Sequence, residues 1–419
     1  MSHRQSPHFT FVHRATSLLF VLMLALLLLA GVSQPAQSQT YHVIHNFTAE
    51  GSDGATPYGG PVLDRSGNIF GTTNLGGSNA DGTVYELSPN GSSWTFNTIY
   101  SFAGQSDGAG PGFGSLVIRH DCSLFGTTEG GGGVSTFGIA FKIRPRGNPC
   151  HKPGFTWLEK VLHRFGRGQD GGQPTNGVTF DHSSNFYGSN NLGGAYNNGA
   201  VFEVTHSGGF WTETLLYSFT GGNDGGTPVS GVTLDDAGNV YGTTSFGGAY
   251  GVGVVYELSP SPSGWTETVL YNFQGLSDGE FPVGGVIMDK AGNISGSTFL
   301  GGDNGGGTVY QLSPSGGNWT LTTLYSFTTY YGPYNKLTFD AAGNIYGAAN
   351  GAGANGLGSI FKLTPGNGGW TFTDIYDFTG GSDGGQPYGS VAVDAQGNIF
   401  GTNVVGGSNN QGVVFEITP

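Results

Sequence analysis

The stretch of sequence that decides the fold is Gly231–Phe273, GVTLDDAGNVYGTTSFGGAYGVGVVYELSPSPSGWTETVLYNF. Almost all of the chain after residue 40 consists of further copies of this stretch. The glycine after the aromatic residue of NVYG marks each copy, and successive markers are 55, 62, 54, 54, 51 and 54 residues apart. A period of this size is typical of repeat architectures. The seven markers are Gly71, Gly126, Gly188, Gly242, Gly296, Gly347 and Gly401.

Other residues recur in each copy at a fixed distance from the marker glycine. An aspartate precedes it by seven residues in six copies, and Arg119 takes that place in copy two. All six tryptophans of the chain fall in one column, which copy seven does not reach. The aspartates are Asp64, Asp181, Asp235, Asp289, Asp340 and Asp394.

Each copy contains four short apolar or β-branched runs, separated by residues that favour turns. In copy four these runs are GVTLD, NVYGTT, GVVYELS and WTETVLYNF. They predict four antiparallel strands, which we call a to d in chain order. Four such strands repeated seven times predict an all-β protein, a seven-bladed β-propeller.

The two ends of the chain bear on how the ring of blades closes. The C-terminal residues, Gly412–Pro419, correspond to a c strand, so blade seven lacks a d strand of its own. Near the N-terminus, His45–Phe47 aligns with Tyr271–Phe273 of a d strand. We therefore expect the N-terminal segment to complete blade seven, so that residues 39–419 form a single domain without an open sheet edge.

The unit GVTLDDAGNVYGTTSFGG followed by VVYELSP resembles the GloVer (Gloeo_Verruco-type) tandem repeat of secreted bacterial proteins. Its GVxxDxxGNxY core is more distantly similar to NHL-type propeller repeats. The resemblance covers residues 41–419 and implies an exported, bacterial, propeller-like protein. Members of the group often carry a surface anchor, which we do not find in this sequence, and the family implies no catalytic residues.

The first 38 residues have the pattern of a secretory signal peptide. Arg4 and Arg14 precede an apolar run, Leu18–Ala30, and small residues follow around Ala36 and Ser38. Thirteen apolar residues are too few for a comfortable membrane span. We expect removal of residues 1–38 and a secreted or periplasmic protein, which could associate with the cell surface.

The charge balance argues against nucleic acid and anionic membranes as partners. The whole chain has a net charge of −14, and without residues 1–38 it has 12 Lys and Arg against 28 Asp and Glu, a net of −16. An acidic chain of this kind lacks the basic footprint of a nucleic-acid or anionic-membrane binder. We expect a monomer without a cofactor.

One face of the propeller, called the top, collects the d-to-a and b-to-c loops. An aspartate recurs in the d-to-a loop of six blades, and these carboxylates around an axis could hold a cation. The structural interpretation is that each aspartate accepts hydrogen bonds within its own glycine-rich turn. The six are Asp53, Asp107, Asp170, Asp224, Asp278 and Asp383.

An aromatic arc is predicted at the top end of the innermost strands. Thirteen residues before the marker glycine, consecutive blades six, seven, one and two carry Tyr334, Tyr388, Tyr58 and Phe113. Rings beside carboxylates could stack on sugar rings, or they could simply plug the channel. Blade six also departs from the repeat at Tyr330, Tyr331 and Lys336, which we include in the candidate ligand-binding set with Asp53 and Asp383.

Cys122 and Cys150 both fall on the opposite, bottom face of blade two. In an exported protein, two cysteines brought together by the fold indicate a disulfide. His120 and His151 flank them, so a zinc site is the alternative. An oxidising compartment favours the disulfide, and we expect no metal.

Three functions fit these patterns, and the fold does not choose among them. The first is a non-catalytic binding propeller that recognises an extracellular ligand, most plausibly a glycan, at the top. The second is a polysaccharide lyase or glycoside hydrolase with Lys336 or Tyr334 as base, or with acid and base among Asp53, Asp383 and Glu50. The third is a protein–protein interaction platform.

Overall fold

The computed structural model describes residues 39–133, 137–147, 156–166, 168–174, 176–329 and 331–419. Tyr41–Thr418 forms one compact unit. The regular elements in the described residues are all strands, and they build seven four-stranded antiparallel sheets. This arrangement is a seven-bladed β-propeller, which confirms the predicted fold class.

The two inner strands of each blade are short. The b strand is buried along its whole length in all seven blades, as the apolar NVYGTT-type runs predict. The a strands are Val62–Leu63, Val117–Ile118, Thr179–Phe180, Thr233–Leu234, Val286–Met288, Thr338–Phe339 and Ala392–Val393. The b strands are Ile69–Thr73, Leu124–Thr128, Phe186–Asn190, Val240–Thr244, Ile294–Thr298, Ile345–Ala349 and Ile399–Asn403.

The two outer strands are longer, and the d strands alternate between exposed and half-buried residues, as their period-two sequence predicts. The c strands are Thr83–Asn90, Ile139–Pro145, Ala200–Ser207, Val254–Ser261, Thr308–Ser315, Ser359–Gly366 and Val413–Thr418. The d strands of blades one to six are Ser93–Ser101, Trp157–Arg164, Phe210–Ser218, Gly264–Asn272, Asn318–Ser326 and Gly369–Asp377. A further small pairing joins Gly54–Ala55 to Leu75–Gly76 on the top of blade one.

The outer strand of blade seven comes from the other end of the chain. Thr40–Asn46 lies beside Val413–Thr418 in the sheet order. The amide of Phe47 donates to the carbonyl of Gly412 at 3.1 Å, and the amide of Ser408 donates to Asn46 Oδ1 at 2.8 Å. Both termini of the compact unit therefore contribute to the same blade.

One aromatic contact recurs at every interface between neighbouring blades. The phenylalanine that follows each d strand packs against the aromatic residue of the c strand in the next blade, with ring centroids 4.9 to 5.4 Å apart. Phe47 makes this contact with Tyr85 of blade one, in the same manner as the internal copies. The other pairs are Phe102–Phe141, Phe165–Phe202, Phe219–Tyr256, Phe273–Tyr310, Phe327–Phe361 and Phe378–Phe415.

The marker glycine leaves room for the ring on the c strand. Gly242 is directly opposite Tyr256 in the antiparallel register, and a methyl group on Gly242 would overlap the Tyr256 ring. Tyr256 is fully buried and is held from the other side by Phe219. A glycine inside a buried strand is unfavourable by itself, so its presence in each blade follows from this close approach.

The bottom turns between strands a and b are built as their sequence predicts. Asp235 Oδ1 accepts hydrogen bonds from the amides of Ala237 and Asn239, and Gly238 adopts a φ of 85°. Asn239 Nδ2 also donates to Asp235 Oδ2. This column of aspartates therefore stabilises its own turns.

Gly242→Ala should destabilise the protein by about 1–3 kcal/mol, because the added methyl group overpacks a buried ring that has no space to move. Gly368→Ala is the matched control, since nothing lies within 4 Å of a Cβ at that position. Urea unfolding of the two variants measures the difference. Equal free energies of unfolding would contradict the role assigned to the marker glycine.

Candidate functional site

The top-face aspartates hold their own loops. Asp53 accepts hydrogen bonds from the amide and hydroxyl of Thr48, each at 2.9 Å, and His45 Nε2 lies 3.3 Å from its other oxygen. Asp383 accepts a hydrogen bond from the amide of Thr379 at 2.9 Å and from the Tyr376 hydroxyl at 3.3 Å. Equivalent amide bonds within the loop reach Asp107, Asp170, Asp224 and Asp278. These bonds agree with the structural interpretation of the column.

The four predicted aromatic residues form one cluster at the top of the axis. Ring centroids are 4.5 Å apart for Tyr58–Phe113, 5.2 Å for Tyr58–Tyr388 and 5.3 Å for Tyr334–Tyr388. Phe113 and Tyr334 complete the circuit at 6.1 Å. The rings therefore contact one another around a closed loop instead of forming an open arc.

Phe299 of blade five and Tyr331 of the loop before blade six extend this aromatic cluster outward. Phe299 lies 5.5 Å from Tyr334 and 5.1 Å from Tyr331, whose side chain is 51% exposed. Tyr330 lies outside the described residues. Phe299 and Tyr331 thus continue the ring surface from the axis towards solvent.

Hydrogen bonds bridge the centre of the propeller just below the aromatic cluster. Asn335 Nδ2 of blade six donates to the carbonyl of Phe113 in blade two at 2.9 Å. Lys336 Nζ reaches Thr233 Oγ1 of blade four at 2.8 Å and lines an inner cavity of about 180 Å³. Burial lowers the pKa of Lys336 to about 8. The structure therefore places Lys336 in the inner cavity and not beside Asp53 or Asp383.

A second cavity, of about 320 Å³, opens on the top between blades one and two. Glu129 and Asn74 line it, and a methyl group on Gly112 would lie 3.0 Å from both Glu129 Oε1 and Asn74 Oδ1. Neither oxygen has a hydrogen-bond partner in the described part of the chain, although both are buried. Burial raises the pKa of Glu129 to about 7, and its carboxylate acts electrostatically on Tyr58 and Tyr334. The Glu129 carboxylate therefore lies near the aromatic cluster.

Most of the exposed large apolar side chains among the described residues lie in top loops. Six of the eight belong to b-to-c or d-to-a loops, so the top is the more apolar face. The other two, Leu158 and Phe210, lie on d strands. The six are Leu75, Tyr196, Phe246, Tyr250, Leu276 and Tyr331.

Sequence reasoning missed Glu129 and Phe299. Both follow directly after a b strand, in a column that the other blades fill with Asn, Ser or Val. Glu129 is the one carboxylate and Phe299 the one aromatic residue of that column. Comparing the seven copies at this position would have found both residues.

On the bottom face, Cys122 occupies the turn position that is glycine in five of the other blades and Ser184 in blade three. Its φ is 60°, in the left-handed region that a cysteine rarely adopts. Cys150 and His151 lie outside the described residues. The disulfide and the alternative zinc site therefore stay predictions.

Seven sheets of four antiparallel strands, each a copy of one sequence unit, define a repeat-built β-propeller. The model of the Gloeobacter/Verrucomicrobia repeat matches residues 33–236, 151–290 and 233–419. The chain belongs to this repeat family, which confirms the resemblance seen in the sequence. A comparison with curated proteins finds no match.

Solved structures share the fold at low sequence identity. The extracellular domain of a hybrid two-component system from B. thetaiotaomicron is 11% identical over 90% of this chain, with a TM-score of 0.51. This chain covers 39% of that protein. A gluconolactonase from Xanthomonas campestris is 12% identical over 90% of this chain and 99% of its own, with a TM-score of 0.43. These likenesses concern the fold alone.

Two further features of the described residues bear on partners. They contain no helix with the length and apolar character needed to cross a membrane. They also contain no cluster of three or more His, Cys, Asp or Glu side chains arranged to hold a metal ion.

Glu129→Gln should raise the free energy of unfolding relative to wild type as the pH increases. Burial raises the pKa of Glu129 from 4.5 to about 7, so the folded state favours the protonated acid. This preference contributes stability below pH 4.5 that is lost as the pH rises through about 7. The variant lacks the titration, so its advantage should grow by on the order of 1–3 kcal/mol between pH 4 and pH 8.

Urea unfolding at several pH values measures this difference. Glu159, Glu213 and Glu267 also have raised pKa values, but they are shared by both proteins and cancel in the comparison. A difference that stays constant with pH would show that Glu129 is not a buried acid.

Proposed function

We propose that this chain is a secreted, non-catalytic binding propeller whose top face recognises an extracellular glycan. The observation that carries the proposal is the pair of buried acceptors, Glu129 Oε1 and Asn74 Oδ1, in a cavity beside the aromatic cluster. Buried polar atoms normally have a hydrogen-bond partner. Sugar hydroxyl groups are donors that would satisfy both oxygens.

The neighbouring rings supply the apolar half of a sugar site. Aromatic side chains such as Tyr58 and the exposed Tyr331 can pack against the C–H face of a pyranose ring. Burial raises the pKa of Tyr334 above its ordinary value of 10.0, so its phenol stays protonated at neutral pH. It can then donate a hydrogen bond to a sugar oxygen, which supports binding.

Three of the residues considered as acid or base for hydrolysis already have hydrogen-bond partners in the protein. Asp53 and Asp383 accept hydrogen bonds from their own loops, and Lys336 Nζ bonds Thr233 in the inner cavity. A glycosidase needs two carboxyl groups facing one bond. This arrangement favours binding over polysaccharide cleavage.

Export of the protein is a part of the same proposal. Its support is the basic and apolar sequence of residues 1–38, which lie outside the described residues. A glycan is a ligand available to an exported protein. Intact mass of the protein recovered from the medium or periplasm would show whether residues 1–38 are removed.

We expect wild-type protein to be retarded in native gels that contain a recognised neutral polysaccharide. Tyr58→Leu keeps the apolar volume but loses the flat ring, and Asn74→Ala with Glu129→Ala removes both acceptors. Each change should weaken binding on the order of fivefold or more. Affinity electrophoresis with a panel of plant and microbial polysaccharides measures the retardation.

Phe210→Leu is the matched control, because Phe210 is 77% exposed on the outer strand of blade three, away from the top loops. Far-UV circular dichroism and melting temperature establish that each variant is folded. Absence of retardation by every polysaccharide, or an equal loss in Phe210→Leu, would overturn the proposal. New reducing ends or unsaturated products would favour the enzyme instead.

We also propose that Cys122 and Cys150 form a disulfide. None of the described cysteines is free, and Cys122 occupies a turn position that is glycine in five of the other blades. Alkylation without reductant should leave the intact mass unchanged, and alkylation after reduction should add two groups. Two added groups without reductant would contradict the disulfide and revive the zinc alternative.

A further inference from the structure

Blade two carries most of the positive charge of the propeller. After residue 38 the chain has 12 Lys and Arg residues, and eight of them lie between Arg119 and Arg167. The same chain contains 28 Asp and Glu residues. Such a local excess of cations on an acidic protein calls for a specific explanation.

Four of these cations line one cleft on the bottom, between blades two and three. They are Arg119, Lys142, Arg144 and Lys160, and the cleft has a volume of about 490 Å³. This volume lies within the usual range for small-molecule sites. The cleft is separate from the top-face site of the proposed function.

No other blade combines these charges at the corresponding positions, although Lys362 of blade six aligns with Lys142. Arg119 is aspartate in all six other copies, and Arg144 is serine or threonine in all six. Strand register aligns Lys142 with glutamate in four blades. It aligns Lys160 with the uncharged Asn97, Thr214, Thr268, Thr322 and Thr373. The repeat therefore does not need cations here to fold.

The arrangement has a cost within the sheet. Lys142 and Lys160 are directly opposite each other on neighbouring strands, and like charges in that position are destabilising. Asp121 offsets part of this repulsion, because one of its carboxylate oxygens lies 3.3 Å from Lys142 Nζ. Neither Arg144 nor Lys160 forms an ion pair with any of the residues that the structure describes. A bound anion would supply the missing countercharge.

Rings and hydroxyl groups line the cleft beside the cations. The Arg119 guanidinium lies 4.5 Å from the centroid of Phe180 and donates to Ser184 Oγ at 2.8 Å. Trp211 packs against His206 with ring centroids 4.5 Å apart, and both line the cleft. Guanidinium and ammonium groups bind carboxylate or sulfate, while rings and hydroxyl groups suit a sugar body.

An equivalent cleft between blades four and five provides an internal comparison. It has a volume of about 600 Å³ and contains Trp319 at the position of Trp211. Asp235, Asp236 and Asp289 line it, with Lys290 as the one Lys or Arg of its lining. Shape alone therefore does not bring cations to this place in the fold.

We propose that the cleft between blades two and three binds an anionic saccharide, with its carboxylate or sulfate groups on Arg119, Lys142, Arg144 and Lys160. A single strand of nucleic acid is the competing polyanion. It would have to continue past the cleft over a protein that is strongly acidic elsewhere, whereas a short charged oligosaccharide fits within the cleft. The saccharide is therefore the ligand class that the charge distribution favours.

Isothermal titration calorimetry tests the proposal with short oligogalacturonate, sulfated dextran oligosaccharide and neutral dextran oligosaccharide. Wild-type protein should bind one or both charged probes, with affinity that falls as NaCl is added, and should not bind the neutral dextran at this cleft. The carboxylate and sulfate probes distinguish the two kinds of acidic sugar. The double variant Arg144→Ser, Lys160→Thr should weaken binding about tenfold or more.

Lys290→Glu is the matched control, because it changes the net charge by the same two units in the equivalent cleft. It should leave binding unchanged, and both variants should melt within a few degrees of wild type. If the double variant does not fold, wild-type protein is titrated with oligogalacturonate in the presence of inorganic sulfate. The sulfate should compete for the cleft and reduce the measured heat. No binding of either charged probe at low salt, or equal weakening by Lys290→Glu, would overturn the proposal.

Oligothymidine serves as the nucleic-acid probe in the same titration. Tighter binding of this strand than of both charged saccharides, lost in the double variant, would reassign the cleft to nucleic acid. Retained glycan binding at the top in the double variant would show that the two sites are independent. Failure at this cleft would therefore leave the proposed function untouched.

Discussion

The ring of blades depends on one aromatic contact that is made seven times. The phenylalanine after each outer strand packs on the c-strand ring of the following blade, and the marker glycine leaves the space that this ring occupies. Burying a phenylalanine contributes about 1.5–3 kcal/mol, so the set is a major part of the interface energy. Because repeats contact only their neighbours, equal contacts at each interface are what allow the ring to close evenly. Phe47, from the N-terminal strand, makes the same contact with Tyr85.

This constraint separates the residues of each repeat that build the scaffold from those that do not. The buried b strand, the marker glycine and the interface rings belong to the first group, as do the aspartates that hold the loops. Asp235 and Asp53 illustrate the latter, since each accepts hydrogen bonds from amides of its own turn. What is left free is the loop surface and the outer face of strands c and d. Recognition can therefore change from blade to blade without disturbing the scaffold.

The sequence alone was sufficient to predict the seven blades and the aromatic cluster, because both follow from residues that recur at the same position of each repeat. Tyr58, Phe113, Tyr334 and Tyr388 share one column, and equal positions in neighbouring blades must meet at the axis. The hydrogen bonds across the axis could not be predicted, since Asn335 and Lys336 reach blades two and four. Such contacts depend on the width of the closed ring, which no single repeat encodes. Prediction of the cationic cleft needed the register of strands c and d, which places Lys142 opposite Lys160.

Blade two departs from the other copies on both faces at once. On the top it carries Glu129, and on the bottom it carries Arg119, Arg144, Lys160 and Cys122 at positions where the other blades keep different residues. Lys142 lies opposite Lys160, at a position that is glutamate in four of the other blades. Its interface rings, Phe102–Phe141 and Phe165–Phe202, are nevertheless ordinary, with centroids 5.2 and 4.9 Å apart. The scaffold has been kept while a buried acid, opposed lysines and a left-handed cysteine have been added, and each of these is unfavourable for folding alone. These features cost stability and leave the packing intact, and this is the reason why both of the sites that we propose include residues of blade two.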